Sequence, residues 1–153
     1  MSNISSKVHD RLISGIKKFG PILSNAKTKD INESDTVLII TDMLCEVFGY
    51  DKYADLTTEY VIKKTYCDLA IKIDGKVKFL IEAKAAGIDL KDDHIKQAID
   101  YGANLGTEWI ILTNGHIWKI FRVIFAKPIE KELVYEFDFT KLNSKNENDI
   151  EML

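Results

Sequence analysis

The spacing of apolar residues changes partway along this chain, and that change limits its folds more than any other feature. Up to Gly49 the apolar side chains recur at helical intervals; from Thr58 onward they alternate. A chain that passes from a period near 3.6 to a period of 2 must pack helices on a sheet. Val8, Leu12, Ile16 and Phe19 share one helical face, and Gly20-Pro21 predicts the end of that first helix. Asp30 and Glu33 have capping-box spacing for a second helix. Its wide apolar face is Val37, Ile40, Thr41, Leu44, Val47 and Phe48, and Gly49 closes it.

The alternating part predicts strands over Thr58–Lys64 and Asp68–Ile73, with Asp74-Gly75 as a hairpin turn. Lys76–Lys84 is the next strand. Its consecutive Phe79, Leu80 and Ile81 predict a central strand covered on both faces, and Gly87 breaks it. Leu90–Leu105 reads as a third helix with Ile95, Ala98, Ile99 and Leu105 inward. Trp109–Thr113, the turn Asn114-Gly115 and His116–Ile124 form a second hairpin, and Leu133–Phe139 an edge strand. The polar tail from Lys141 is a short helix or frayed end. The expected class is α/β, of the α+β kind with a mixed sheet, in the order α, α, β, β, β, α, β, β.

The length of 153 residues suits one domain. Three segments are expected: a basic helix and arm over 1–29, a core over 30–139 and an acidic polar tail over 140–153. The arm carries Lys7, Arg11, Lys17, Lys18, Lys27 and Lys29 against Asp10 alone, while Glu130, Glu132, Glu136, Asp138, Glu147, Asp149 and Glu151 make the other end acidic. That asymmetry lets a chain of net charge −3 still present a basic surface to nucleic acid, although two ordinary solvated ends explain it equally well. The two cysteines, Cys45 and Cys67, lie in apolar segments and read as buried thiols. The polar start, Met1 to Asp10, is no secretory signal, and no apolar run would span a bilayer, so the expected location is the cytoplasm.

The chemistry concentrates around one strand. Glu82 and Lys84 are two apart near its end and project from one face, with Ala83 on the other. Alone, Glu-x-Lys fits a solvated edge better than a catalytic pair. Here Glu82 follows three apolar residues, where a carboxylate is costly unless paired or metal-bound. Asp68, at the start of the preceding strand, is the natural companion. Two carboxylates can hold Mg²⁺ with its waters, the Ala83 carbonyl is a further ligand, and a lysine can orient the attacking water and stabilise charge in phosphodiester hydrolysis.

Whether Asp68 shares the face of Glu82 depends on the hairpin. A plain two-residue loop pairs Asp68 with Ile81 and sends Glu82 to the opposite face. A three-residue loop, Ile73-Asp74-Gly75, pairs Asp68 with Leu80 and makes Asp68 and Glu82 diagonal neighbours, roughly 7 Å apart. The site therefore requires an odd-length loop or a bulge, with Gly75 at positive φ.

Asp68, the run Ile81-Glu82-Ala83-Lys84, and Gln97-Ala98-Ile99-Asp100-Tyr101 together resemble the PD-(D/E)XK nuclease superfamily. More narrowly, the chain is similar to the N-terminal nuclease domain of type I restriction enzyme R subunits. Asn32-Glu33, Phe48-Gly49-Tyr50, Glu59-Tyr60, Ile111-Leu112-Thr113-Asn114-Gly115 and Trp118 extend the likeness across about Asp30 to Ile124. It departs at Cys67, which stands where the superfamily name has proline.

The resemblance implies a restriction-endonuclease-like αβββαβ core with an extra N-terminal helix and a C-terminal hairpin. It implies a metal-dependent endonuclease acting on DNA, with Asp68 and Glu82 binding Mg²⁺ (Mn²⁺ as substitute), Lys84 assisting the nucleophile and Glu33 joining through a water. Gln97 and Tyr101 would contact DNA or brace the lysine. Other restriction-modification subunits are the implied partners, with no membrane, and an oligomer suits an enzyme needing two active sites. No helicase motor is visible, so translocation is not expected. The rival reading is a non-catalytic module binding nucleic acid or a partner through the same fold.

Glu33 has a plain alternative as the end of a capping box. His9, His94 and His116 are too scattered for zinc and are expected at the surface. Asn114-Gly115 reads as a turn, and Trp109 and Trp118 as core. Gly15 to Gly20 has P-loop spacing, but Pro21 follows where lysine is needed, which excludes a nucleotide site.

Overall fold

In a computed structural model, residues 4–62 and 65–153 are described. Two helices, α1 (Ser6–Lys29) and α2 (Glu33–Glu46), precede strands β1 (Leu56–Ile62), β2 (Thr65–Ile73) and β3 (Lys76–Ala83). Helix α3 (Asp92–Leu105) crosses to β4 (Trp109–Thr113), followed by β5 (Ile117–Ile124), β6 (Glu130–Asp138), a 3-10 turn at Phe139–Lys141 and α4 (Glu147–Glu151). The mixed α/β class expected from the spacing is the one found. The end of the first expected strand, Lys64, lies outside the described residues. No helix among them is long and apolar enough to cross a membrane.

The strands form one six-stranded sheet in sequence order, β1 to β6. All neighbours are antiparallel except β3 and β4, which run parallel because α3 carries the chain back across the sheet. Central β3 is apolar on both sides: Ile81 and Ala83 join the cluster under α1 and α2, while Leu80 joins the cluster under α3.

Two helix boundaries differ from the expected ones. Helix α1 runs through Pro21 to Lys29. Proline inside a helix costs about 3 kcal/mol. The stripe Leu12, Ile16 and Phe19 continues, however, with Leu23 and Ala26, both buried, and burying a leucine alone returns about 1.5–3 kcal/mol. Asp30 does not open α2. It closes α1 in a left-handed conformation, φ 51°, donating its N–H to Ala26 and Lys27 carbonyls. Asn32 caps α2, its side chain accepting from Asp35 N–H at 2.8 Å. Glu33 is therefore freed from the cap.

The tail is ordered as a short helix. Ile150 is buried in the α1 core and Glu147 pairs with His9 at 2.9 Å. His116 is not a surface residue. It is 6% exposed, because its ring reaches inward from the β4–β5 turn to backbone that would otherwise be unsatisfied.

Candidate active site

The β2–β3 hairpin decides whether the carboxylates meet. Its turn is two residues, with Asp74 at φ 53° and Gly75 at φ 76°, and Ile73 pairs with Lys76. A bulge follows: Lys72 pairs with Val77 but Ile71 with Phe79, leaving Lys78 as the extra residue. The register then runs Ala70 with Leu80 and Leu69 with Ile81. The bulge and the left-handed Gly75 match the requirement stated above. The three-residue loop and the Asp68–Leu80 pairing do not; carried one residue further, the observed register sets Asp68 directly across from Glu82.

Beyond Leu69 the β2–β3 ladder gives way to side chains. The Ala83 N–H donates to Asp68 Oδ2 at 2.8 Å, and the Cys67 thiol donates to the Ile81 carbonyl at 3.0 Å. A strand residue's N–H and C=O point to the same side, so the Ala83 carbonyl also faces β2 and Asp68. Lys84 Nζ contacts Glu82 Oε1 at 3.2 Å, and its backbone N–H continues onto β4 through the Thr113 carbonyl at 2.9 Å.

Electrostatics tie these groups together. Burial raises the Glu82 carboxyl to about 7, with Asp68 pushing the same way and Lys84 opposing. Burial also raises Asp68, countered by the Ala83 N–H, Lys84 and a hydrogen bond with Glu82. The charge of Asp68 thus makes Glu82 harder to ionise. Lys84 loses solvation, but Glu82, Glu33 and Asp68 more than offset that and raise it, keeping the ammonium charged. Glu33, at the start of α2, is raised by burial and then by Asp68, with Lys84 lowering it. It belongs to the same electrostatic group as the three strand residues.

A cavity of about 250 Å³ opens beside Asp68, lined by Glu33, Ser34, Val37, Thr58, Glu59, Tyr66 and Asp68. Glu59 was not singled out from the sequence as a site residue. The β1–β2 register runs Thr58 with Leu69 and Tyr60 with Cys67, which sets Glu59 opposite Asp68, and its φ is 49° inside a strand. Its charge raises the Asp68 carboxyl. The family likeness includes Glu59-Tyr60, but nothing in the local propensity marks the left-handed backbone, which is fixed by its surroundings.

The two α3 residues separate. Gln97 is exposed, whereas Tyr101 is 4% exposed in the α3 core with its hydroxyl buried and without a hydrogen-bond partner among the described residues. His94, one turn before Gln97, is lowered by burial and then by Lys84, which puts the start of α3 near the lysine. Cys67 lies on the core side, its thiol pushed up to about 12 mainly by burial, so it is an inert donor.

Among the described residues, no three His, Cys, Asp or Glu side chains converge as a metal-holding group. The oxygen donors at this strand end are the Asp68 and Glu82 carboxylates and the Ala83 carbonyl, although the cavity beside Asp68 is lined by neither Glu82 nor Ala83. That set fits Mg²⁺, which keeps several waters and needs only one or two carboxylates; it does not fit zinc. A family model described as type I restriction enzyme R protein N terminus (HSDR_N) matches residues 39–133, which include Asp68, Glu82, Lys84, Gln97 and Tyr101 but not Glu33. No curated protein and no solved structure matches the chain.

Proposed function

The chain belongs to the type I restriction enzyme R protein N-terminal family, and on that premise we propose that it is a metal-dependent endonuclease domain that hydrolyses DNA phosphodiesters. One observation carries the reading: Asp68 accepts from the N–H of Ala83 at 2.8 Å, the residue between Glu82 and Lys84, and Lys84 holds Glu82 at 3.2 Å. Placing two carboxylates together in a buried strand end costs stability, and a divalent cation is the partner that would offset it.

Asp68, Glu82 and the Ala83 carbonyl would hold Mg²⁺ or Mn²⁺, and Glu33, whose carboxyl feels Asp68 and Lys84, would join through a water. When bound, the ion supplies positive charge against the phosphate and activates water. A metal ligand must be deprotonated, so with the Glu82 carboxyl raised to about 7 by burial, affinity for the cation would rise with pH up to about that value. The Lys84 ammonium orients the attacking water and stabilises charge that develops on the phosphorus oxygens. Lys27 and Lys29 end α1 at the same end of the sheet. Asp30, the α1 cap, lies so near Gly87 that a β-carbon there would collide with its carboxylate. Those lysines suit phosphates flanking the scissile bond. The family name brings DNA and the other restriction-modification subunits as partners.

The test is a calorimetric titration of Mn²⁺, with a short DNA duplex present, into wild type, Glu82→Ala and Lys84→Ala. Binding should vanish in the first variant and persist in the second, while Lys84→Ala lowers cleavage by about 10²-fold or more. Equal binding in wild type and Glu82→Ala, or none in either, would leave a non-catalytic module on this fold.

A further inference from the structure

The segment that leaves β3 just after Lys84 is held by three buried polar side chains from elsewhere in the chain. The Ala86 N–H donates to Thr36 Oγ1 at 3.1 Å, and the Ala86 carbonyl accepts from His116 Nε2 at 3.1 Å. Two residues on, the Ile88 carbonyl accepts from Asn114 Nδ2 at 2.8 Å. Thr36 is 0% exposed, Asn114 2% and His116 6%.

The holders are themselves fixed. Thr36 Oγ1 donates to the Asn32 carbonyl at 2.8 Å, and Asn114 Oδ1 accepts from the Ile117 N–H at 2.9 Å. His116 Nδ1 lies 4.0 Å from Asp138, and its Nε2 must carry the proton because its partner is a carbonyl. The backbone after Lys84 is thus tied to α2 on one side and to the β4–β5 turn on the other.

The tie joins the elements that bear the site. Thr36 lies one helical turn after Glu33, so the two share a face of α2. Ala86 is two residues after Lys84, whose own N–H is on Thr113, the residue before Asn114. We infer that Thr36, Asn114 and His116 are positioning residues of the nuclease site, setting through residues 86–88 the distance between Glu33 on α2 and the Glu82–Lys84 pair on β3. This inference rests on the function proposed above. A loop closing over a core needs its backbone satisfied, but water or a surface turn would do that at lower cost. Three buried side chains from two elements hold the loop at one spacing.

Isosteric variants separate this role from simple loop support. Thr36→Val removes the hydroxyl at constant volume, and Thr36→Ser keeps it. His116→Leu removes the ring donor, and His116→Gln keeps an amide donor. Mn²⁺ affinity is measured by calorimetry well below each variant's thermal midpoint, so that a fall in stability alone leaves it unmoved. Thr36→Val and His116→Leu should weaken Mn²⁺ binding by about tenfold, and Thr36→Ser and His116→Gln should restore it to near the wild-type value. If His116→Leu does not fold, the Thr36 pair decides. Wild-type affinity in the folded Thr36→Val variant would overturn the positioning role while leaving the nuclease reading intact. An absence of Mn²⁺ binding by wild type would remove the nuclease reading, and the positioning role with it.

Discussion

The core beneath α1 and the end of the β2–β3 ladder are both buried, yet they are held in opposite ways. Under α1, Leu12, Ile16, Phe19 and Leu23 meet Trp118, Phe137 and Phe139, and the indole N–H of Trp118 is satisfied by the Gly115 carbonyl at 2.7 Å. Every group there gains from leaving water. At the ladder end, Asp68 and Glu82 lose solvation and the charge of Asp68 opposes ionisation of Glu82, with Glu59 opposite Asp68 in a left-handed conformation. The first region supplies the stability that the second gives up. The contrast sets the ladder end apart from the core as the candidate functional site, where perturbed carboxyls cluster.

The largest effect should come from cutting into the first region. Phe139 is 0% exposed at the centre of the α1 contact, so Phe139→Ala should cost about 3–5 kcal/mol. Urea unfolding in EDTA at pH 5 and pH 8 should give the same loss at both, because what is lost is the burial of an apolar ring. A pH-dependent loss would mean that the two regions are coupled and the comparison is false.

The second region should respond in the opposite direction and with pH. The folded Glu82 carboxyl titrates near 7 against an ordinary value of 4.5. Between those values the folded protein keeps a proton that the unfolded chain has released, so its stability falls as pH rises through that window and levels off above about 7. Glu82→Gln removes that loss. It should match wild type near pH 4 and exceed it by about 1–2 kcal/mol at pH 8 without metal, after allowance for the lost Lys84 contact. A variant less stable than wild type at pH 8 would show that Lys84 already satisfies the carboxylate.

The same contrast divides what is legible in the sequence from what is not. Glu82 and Lys84 were legible because strand period and an apolar run are local signals. The bulge was legible as a requirement, since without it Asp68 and Glu82 lie on opposite faces. Its place, at Lys78, was not legible, because that exposed lysine suits either register. Pro21 pointed the wrong way, since the burial of Leu23 and Ala26 that overrides it depends on packing and not on spacing. The capping pair Asp30 and Glu33 misled for a related reason: Asn32 and the left-handed Asp30 divide the α1–α2 corner between two caps. His116 and Glu59 were missed because their roles arise from partners far away in sequence.

Glu59 offers the smallest and sharpest test of the contrast. A non-glycine residue at φ 49° in a strand carries about 1 kcal/mol of backbone strain, and Glu59 adds a charge that opposes ionisation of Asp68. Two substitutions separate these causes. Glu59→Gly removes strain and charge together and should stabilise the metal-free protein by about 0.5–1 kcal/mol at pH 8, net of the entropy that glycine adds to the unfolded chain. Glu59→Gln keeps the strain and removes only the charge, so its gain should be smaller and should shrink as salt screens the pair. Equal gains in the two variants would assign the whole cost to the carboxylate. A loss in Glu59→Gly would mean that the glutamate side chain packs usefully at the cavity beside Asp68, and that this edge is less strained than its backbone implies.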